Sequence, residues 1–191
     1  MGRRSPAKIS PRYLRWVTGR YLERYATSKA NLRRLLSQRV YRSSRFHEVD
    51  PDPWMAWVDD ELARLESLGH LDDHRYAYER ARSLHRRGNS GRAIRSKLSA
   101  KGVPAEVISS ALARLDDGDG HLELRAALTF ARKRRLGPWD RNRSENWERR
   151  KKSMAKFARA GFSFEVAAKI LDAPDEASVS PDETEQPVTG F

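Results

Sequence analysis

Histidines and carboxylates bind metals and move protons near neutral pH, so they are the first residues to test for chemistry. The chain has five histidines, of which His70 and His74 stand four apart with Asp73 between them. A helix could gather such a set around a metal. The intervening Leu71-Asp72-Asp73 lacks the glutamate of a zincin, however, and a helix boundary expected at Asp72 would separate the two rings. No metal site is expected. Nucleophilic catalysis has no better footing, because there is no cysteine and no Gly-x-Ser-x-Gly turn. Gly88-Asn89-Ser90-Gly91-Arg92 is too short for a phosphate-binding loop and reads as a helix stop followed by a cap. No catalytic residue and no cofactor is expected.

What recurs instead is arginine and lysine on successive helical segments. The candidate partner-binding residues are Arg33 and Arg34, then Arg82, Arg86 and Arg87, then Arg92, Arg95, Lys97 and Lys101. Arg132, Lys133 and Arg135 follow in the densest run, and Arg149 and Lys152 in the last. Each run wraps around its helix, so only part of it can face one ligand. The competing reading is a solvated face whose charges pair with Asp and Glu one turn away.

The charge distribution sharpens the question. Formal net charge is +12, yet Asp172, Asp175, Glu176, Asp182, Glu183 and Glu185 close the chain with no lysine or arginine among them. The preceding body therefore carries +18. Such a body is drawn to polyanions, nucleic acid or acidic protein surfaces alike. No apolar run reaches the ~18–20 residues of a membrane span. The start Met-Gly-Arg-Arg-Ser-Pro has neither a signal-peptide apolar stretch nor a Ser or Thr where myristoylation wants one. A cytoplasmic protein without membrane contact is expected.

The elements that must carry these residues are helices. Residues 1–10 read as a disordered basic start and 173–191 as a disordered acidic tail rich in Pro, Ser and Thr. Between them nine helices are expected, at 11–26, 28–42, 53–69, 72–87, 90–101, 104–116, 121–136, 145–160 and 163–172. Ser10-Pro11 and Asp52-Pro53 each combine a cap with proline at the first helical position, and Ser28, Asp72, Ser90 and Ser163 are further caps. Gly69, Gly88, Gly102, Gly137 and Gly161 stand where helices should stop. Apolar stripes such as Leu32-Leu35-Leu36-Val40, Trp54-Trp57-Val58-Leu62-Leu65-Leu68 and Val107-Ile108-Ala111-Leu112-Leu115 mark the core faces.

The chain also repeats itself. A shift of 62 residues lays Ser28 on Ser90, Leu32 on Ile94, Arg33 on Arg95 and Leu36 on Leu98. A shift of 59 lays Leu98 on Phe157, Gly102 on Gly161, Val107 on Val166 and Leu112 on Leu171. The period implies an all-α fold of three tandem three-helix repeats, at 11–70, 71–117 and 118–172, forming an elongated, curved array.

At these residues the chain resembles the RecX family. Tyr21-Leu22-Glu23-Arg24-Tyr25-Ala26-Thr27-Ser28 with Leu32-Arg33-Arg34-Leu35-Leu36 is similar to the opening signature of those proteins. Gly69-His70-Leu71-Asp72-Asp73-His74-Arg75-Tyr76-Ala77 resembles their most telling stretch. Arg87-Gly88 through Gly102-Val103 is similar to the family's second repeat, and Ala158 through Gly161-Phe162-Ser163 to the close of its third. The resemblance covers roughly residues 13–172. Gly69, Leu71, Asp72, Asp73, Tyr76, Ala77, Gly88, Gly102, Gly161 and Phe162 are expected to serve structure, Asp72 and Asp73 as helix caps. The segment 43–53 is longer and more polar than the family pattern, and the acidic tail and Trp139–Trp147 look particular to this chain.

The resemblance implies a regulator of the RecA recombinase. A RecX protein binds along the groove of the RecA–single-stranded DNA filament and limits its extension, ATP hydrolysis, strand exchange and coprotease activity. Homologous recombination, DNA repair and the SOS response are the implied setting. A monomer is expected, with RecA as partner and single- or double-stranded DNA as a further direct contact. Two other readings stay open on sequence alone: a helical nucleic-acid-binding protein acting without RecA, and a scaffold for some other protein. The acidic tail is expected to fold back on the basic body as an internal competitor.

Overall fold

The computed structural model describes residues 5–116, 121–140 and 147–179. Residues 1–4, the boundary expected at 117/118, the first two residues of the eighth expected helix and the tail from 180 onward lie outside the described residues. Among those described, the regular structure is helical throughout. The helices are α1 (Pro11–Leu22), α2 (Lys29–His47), α3 (Asp52–Ser67), α4 (Asp73–Arg86) and α5 (Gly91–Ser99). They continue as α6 (Ala105–Ala113), α7 (Leu122–Arg134), α8 (Trp147–Ala160) and α9 (Phe164–Asp172), with single 3-10 turns at Gly137–Trp139 and Ala177–Val179.

Most helix starts follow from side-chain caps. Ser10 accepts from the Tyr13 amide at 3.2 Å, Ser28 from Asn31 at 3.2 Å, Asp72 from Arg75 at 3.0 Å and Ser90 from Ala93 at 3.1 Å. Asp52 differs from expectation. Pro51 holds the cap position, and Asp52 lies inside the first turn of α3 with its amide bonded to Asp50. α1 stops four residues short of the expected end, in a turn at Glu23–Arg24.

α2 runs five residues further than the sequence suggested, to His47, because Ser43 and Ser44 are buried rather than loop residues. They meet the segment before α1. Ser43 donates to the Ala7 carbonyl at 2.8 Å, His47 Nε2 lies 3.1 Å from the Pro6 carbonyl, and Ile9 is buried. Residues 5–10, expected to be disordered, are therefore held in place by an apolar anchor and two polar ties. The far end behaves likewise. Ala173 and Val179 enter a core, so 173–179 is not free tail.

The chain forms two compact units, one of residues up to Ala77 with Ser99–Ile108, the other of Tyr78–Leu98 with residues from Ser109 onward. The helices of the middle triplet are thus divided between units. In the first unit Ile9, Leu14, Val17, Leu32, Leu36, Val40, Trp54, Val58, Leu62, Leu65 and Leu71 make the core. Burying a side chain of this size contributes ~1.5–3 kcal/mol. Leu68, read as part of the α3 stripe, is instead exposed at the helix end. In the second unit Phe130, Phe157 and Phe162 pack with centroids 5.3–5.8 Å apart, surrounded by Leu124, Ala127, Leu136, Ile170 and Leu171. Trp147, the first residue of α8, is exposed.

The sequence repeat has a structural counterpart. In the first unit Ser28 Oγ donates to the carbonyl of Lys101, just past α5, while Gly102 packs on Ala30. In the second unit Ser90 Oγ donates to the carbonyl of Ala160 at the end of α8, at 2.6 Å, while Gly161 packs on Ser90 and Arg92. Both junctions use the pairs that the two sequence shifts align.

Candidate functional site

The basic residues fall into three groups once their neighbours are known. Arg33, Arg132 and Arg149 hold carboxylates. Arg33 makes two 2.9 Å bonds to Asp59, and that guanidinium lowers the Asp59 pKa below its ordinary value. Arg149 grips Asp140 through Nε and one terminal nitrogen, at 2.9 and 3.2 Å. Arg132 pairs with Glu176 and lies against the Trp139 ring, whose Nε1 donates to the other Glu176 oxygen at 3.1 Å. Exposed pairs of this kind are worth only ~0–1 kcal/mol each, so a competing anion can displace them.

A second group converges on other polar atoms. In the first unit Arg34 on α2 and Lys101 beyond α5 both reach Asn31 Oδ1, at 2.7 and 3.5 Å. Buried Asn31 is oriented by its own bond to Thr27 Oγ1 at 2.7 Å. In the second unit Lys133 Nζ donates to the Arg87 carbonyl at 3.1 Å. The approach is close because Gly88 lies directly against the α7 backbone at Ala126 and Phe130. The exposed end of α4, with Arg86 and Arg87, thereby joins the basic run of α7. Arg95 donates to Ser109 Oγ at 3.1 Å, and Lys97 to Asn89 Oδ1.

The remaining candidates, Arg82, Arg92, Arg135 and Lys152, are exposed and make no ion pair among the described residues. One basic surface was missed in the sequence reading. α1 carries Arg12, Arg15 and Arg20 around an exposed Trp16, and Arg-x3-Trp-x3-Arg at helical spacing was the available signal.

The Gly69–Ala77 stretch lies in the first unit. Leu71 and Ala77 are buried, Gly69 closes the α3 end, and Asp72 caps its own helix. Asp73 instead accepts from the Lys29 amide at 2.8 Å and so caps the neighbouring α2, where Lys29 Nζ pairs with Glu66 at 2.7 Å. Tyr76 is half-buried. Lys29, Glu66, Gly69, Leu71, Asp72 and Asp73 line a shallow cleft with His74 and Val107. Its carboxylates already have partners, and among the described residues no cluster of His, Asp and Glu is arranged to hold a metal. Phe162 and Gly161 belong to the core and junction of the second unit. None of the described helices is long and apolar enough to cross a membrane.

The chain matches the family model described as RecX, second three-helix domain, over residues 72–112. It is 43% identical over 171 residues to the regulatory protein RecX of Myxococcus xanthus, covering 90% of each chain. It is 32% identical over 172 residues to that of Agrobacterium fabrum, covering 89% of each. Among solved structures, a crystal structure of regulatory protein RecX shares the fold with a TM-score of 0.63 at 21% identity, over 85% of this chain and 72% of that one.

Proposed function

The chain belongs to the RecX family of regulatory proteins, and from that premise we propose that it binds the RecA filament on single-stranded DNA and restrains it. The observation that carries this reading is the joining of basic runs far apart in sequence. Lys133 reaches the Arg87 carbonyl, and Arg34 and Lys101 share Asn31 Oδ1, so basic side chains from separate runs are held near one another. Such clusters suit acidic protein walls and DNA phosphates. The three repeats at 11–70, 71–117 and 118–172 are the sequence units of this binding protein. In this reading it works as a cytoplasmic monomer in recombination, DNA repair and the SOS response, without a cofactor or a catalytic step of its own.

The mechanism is bridging of neighbouring RecA subunits. Arginine and lysine faces hold both sides of a subunit boundary, which opposes the addition of further subunits and the movement coupled to ATP turnover. Titration into preformed filaments, with ATP hydrolysis as readout, tests it. Hydrolysis should fall as the protein saturates the filament, and Arg86→Ala, Arg87→Ala, Lys133→Ala combined should shift that inhibition to higher concentration. Undiminished hydrolysis at saturating binding would refute the inhibitory mechanism.

A further inference from the structure

α1 has an outer surface that packing does not explain. Its inward side is Leu14, Val17 and Thr18, with Tyr13 and Tyr21 partly buried against the same core. The outward side presents Arg12, Trp16 and Arg20, which at four-residue spacing lie one above another on a helix. Arg15 flanks them, Arg24 follows just beyond the helix, and α1 contains no acid. Trp16 is 61% exposed. The Arg20 guanidinium stands 5.9 Å from its ring centroid, near the outer limit of a cation–π contact, and the tilted Tyr13 ring lies 6.2 Å away.

These arginines differ from the others of the first unit. Arg33 and Arg64 each grip a carboxylate, whereas Arg12, Arg20 and Arg24 have no carboxylate partner among the described residues. An exposed indole bracketed by guanidinium groups that hold no carboxylate, one turn to either side, complements a single-stranded nucleic acid. A base offers a flat π face for Trp16, and the adjoining phosphates offer negative charge to Arg12 and Arg20. A duplex hides its base faces within the stack. A protein ligand would want Trp16 in apolar company, but its helical neighbours are Arg12, Gly19, Arg20 and Tyr13, and the Tyr13 ring, 6.2 Å away, is itself half-buried against the core. We infer that the outer face of α1 is a binding site for single-stranded nucleic acid, with a base stacked on Trp16 and phosphates on Arg12 and Arg20. The site needs no recombinase, so it stands or falls apart from the filament reading.

The experiment uses the full chain and a fluorescein-labelled oligo-dT, with no RecA present, followed by anisotropy over a salt series. The oligonucleotide should bind, and an unlabelled duplex of equal length should compete poorly. Trp16→Ala should weaken binding roughly tenfold or more, and Trp16→Tyr should retain most of it. Arg12→Ala with Arg20→Ala should lower the salt slope by about 1.4. Trp16 is solvent-exposed, so circular dichroism should show every variant folded. Equal competition by duplex, or wild-type affinity in Trp16→Ala, would overturn the inference. So would a Trp16→Ala variant that keeps the oligonucleotide and loses only the RecA filament, because α1 would then be a protein-docking surface.

Discussion

Gly88 gives the sharpest test of how the second unit brings its basic runs together. Its φ is +81°, and a Cβ added there would stand 2.8 Å from the Phe130 amide nitrogen and 3.2 Å from both Phe130 Cα and the Ala126 carbonyl oxygen. All three atoms are backbone of α7, so relief requires moving a helix rather than rotating a side chain. Gly69 makes the control: its φ is +69°, but nothing lies within 4 Å of its Cβ position. Alanine in the left-handed region costs ~1–2 kcal/mol at either site, offset by ~0.4–1 kcal/mol through the less flexible unfolded chain. Gly69→Ala should therefore cost about 1 kcal/mol. Gly88→Ala adds overpacking of ~1–3 kcal/mol, for a total of about 2–4 kcal/mol. Urea denaturation followed by circular dichroism measures both. Equal costs for the two substitutions would show that the close helix contact at Gly88 does not exist as described.

Glu61 is 5% exposed and accepts from Thr18 at 2.7 Å and from Arg64 at 2.8 and 2.9 Å. Burial pushes its pKa up, but the Arg64 and Thr18 hydrogen bonds, with the nearby Arg15 charge, outweigh burial and hold it below the ordinary 4.5. A depressed carboxylate stabilises the fold above its unfolded pKa and loses that contribution as pH falls through the folded value. Thermal midpoints should therefore drop in acid below about pH 4.5, and Glu61→Gln should flatten that drop while costing roughly 1–3 kcal/mol at neutral pH. Ser90→Ala removes both a cap and the bond to Ala160, so it should cost about 1–3 kcal/mol. Ser163→Ala, which loses a cap bond of 3.4 Å, should cost less in the same denaturation assay. Glu176→Gln frees Arg132 without disturbing Val179, so it should tighten filament or DNA binding at low salt, read by anisotropy. Unchanged affinity would remove the tail as an internal competitor. Deleting 173–191 is the poorer experiment, because Ala173 and Val179 are part of the core.

Local chemistry made much of this protein legible in its sequence. Caps such as Ser10, Ser28, Ser90 and Ser163 act within three residues, and apolar stripes such as Leu32-Leu36-Val40 repeat at the helical period, so helix positions could be read directly. The 59- and 62-residue shifts were likewise visible, because each junction uses a serine that donates to a helix-end carbonyl and a glycine just after that carbonyl, Ser28 with Gly102 and Ser90 with Gly161. What neighbours across the chain decide was not visible. Nothing local says that Asp73 caps α2 rather than its own helix, or that Ile9 and Val179 are core residues inside polar termini. The same holds for which arginines meet carboxylates: Arg33 and Arg34 adjoin in sequence, yet one grips Asp59 and the other Asn31. The division of the middle triplet between two units has the same origin. Caps and periodicity are properties of short segments, whereas burial and ion pairing depend on which segments the folded chain brings within a few ångströms.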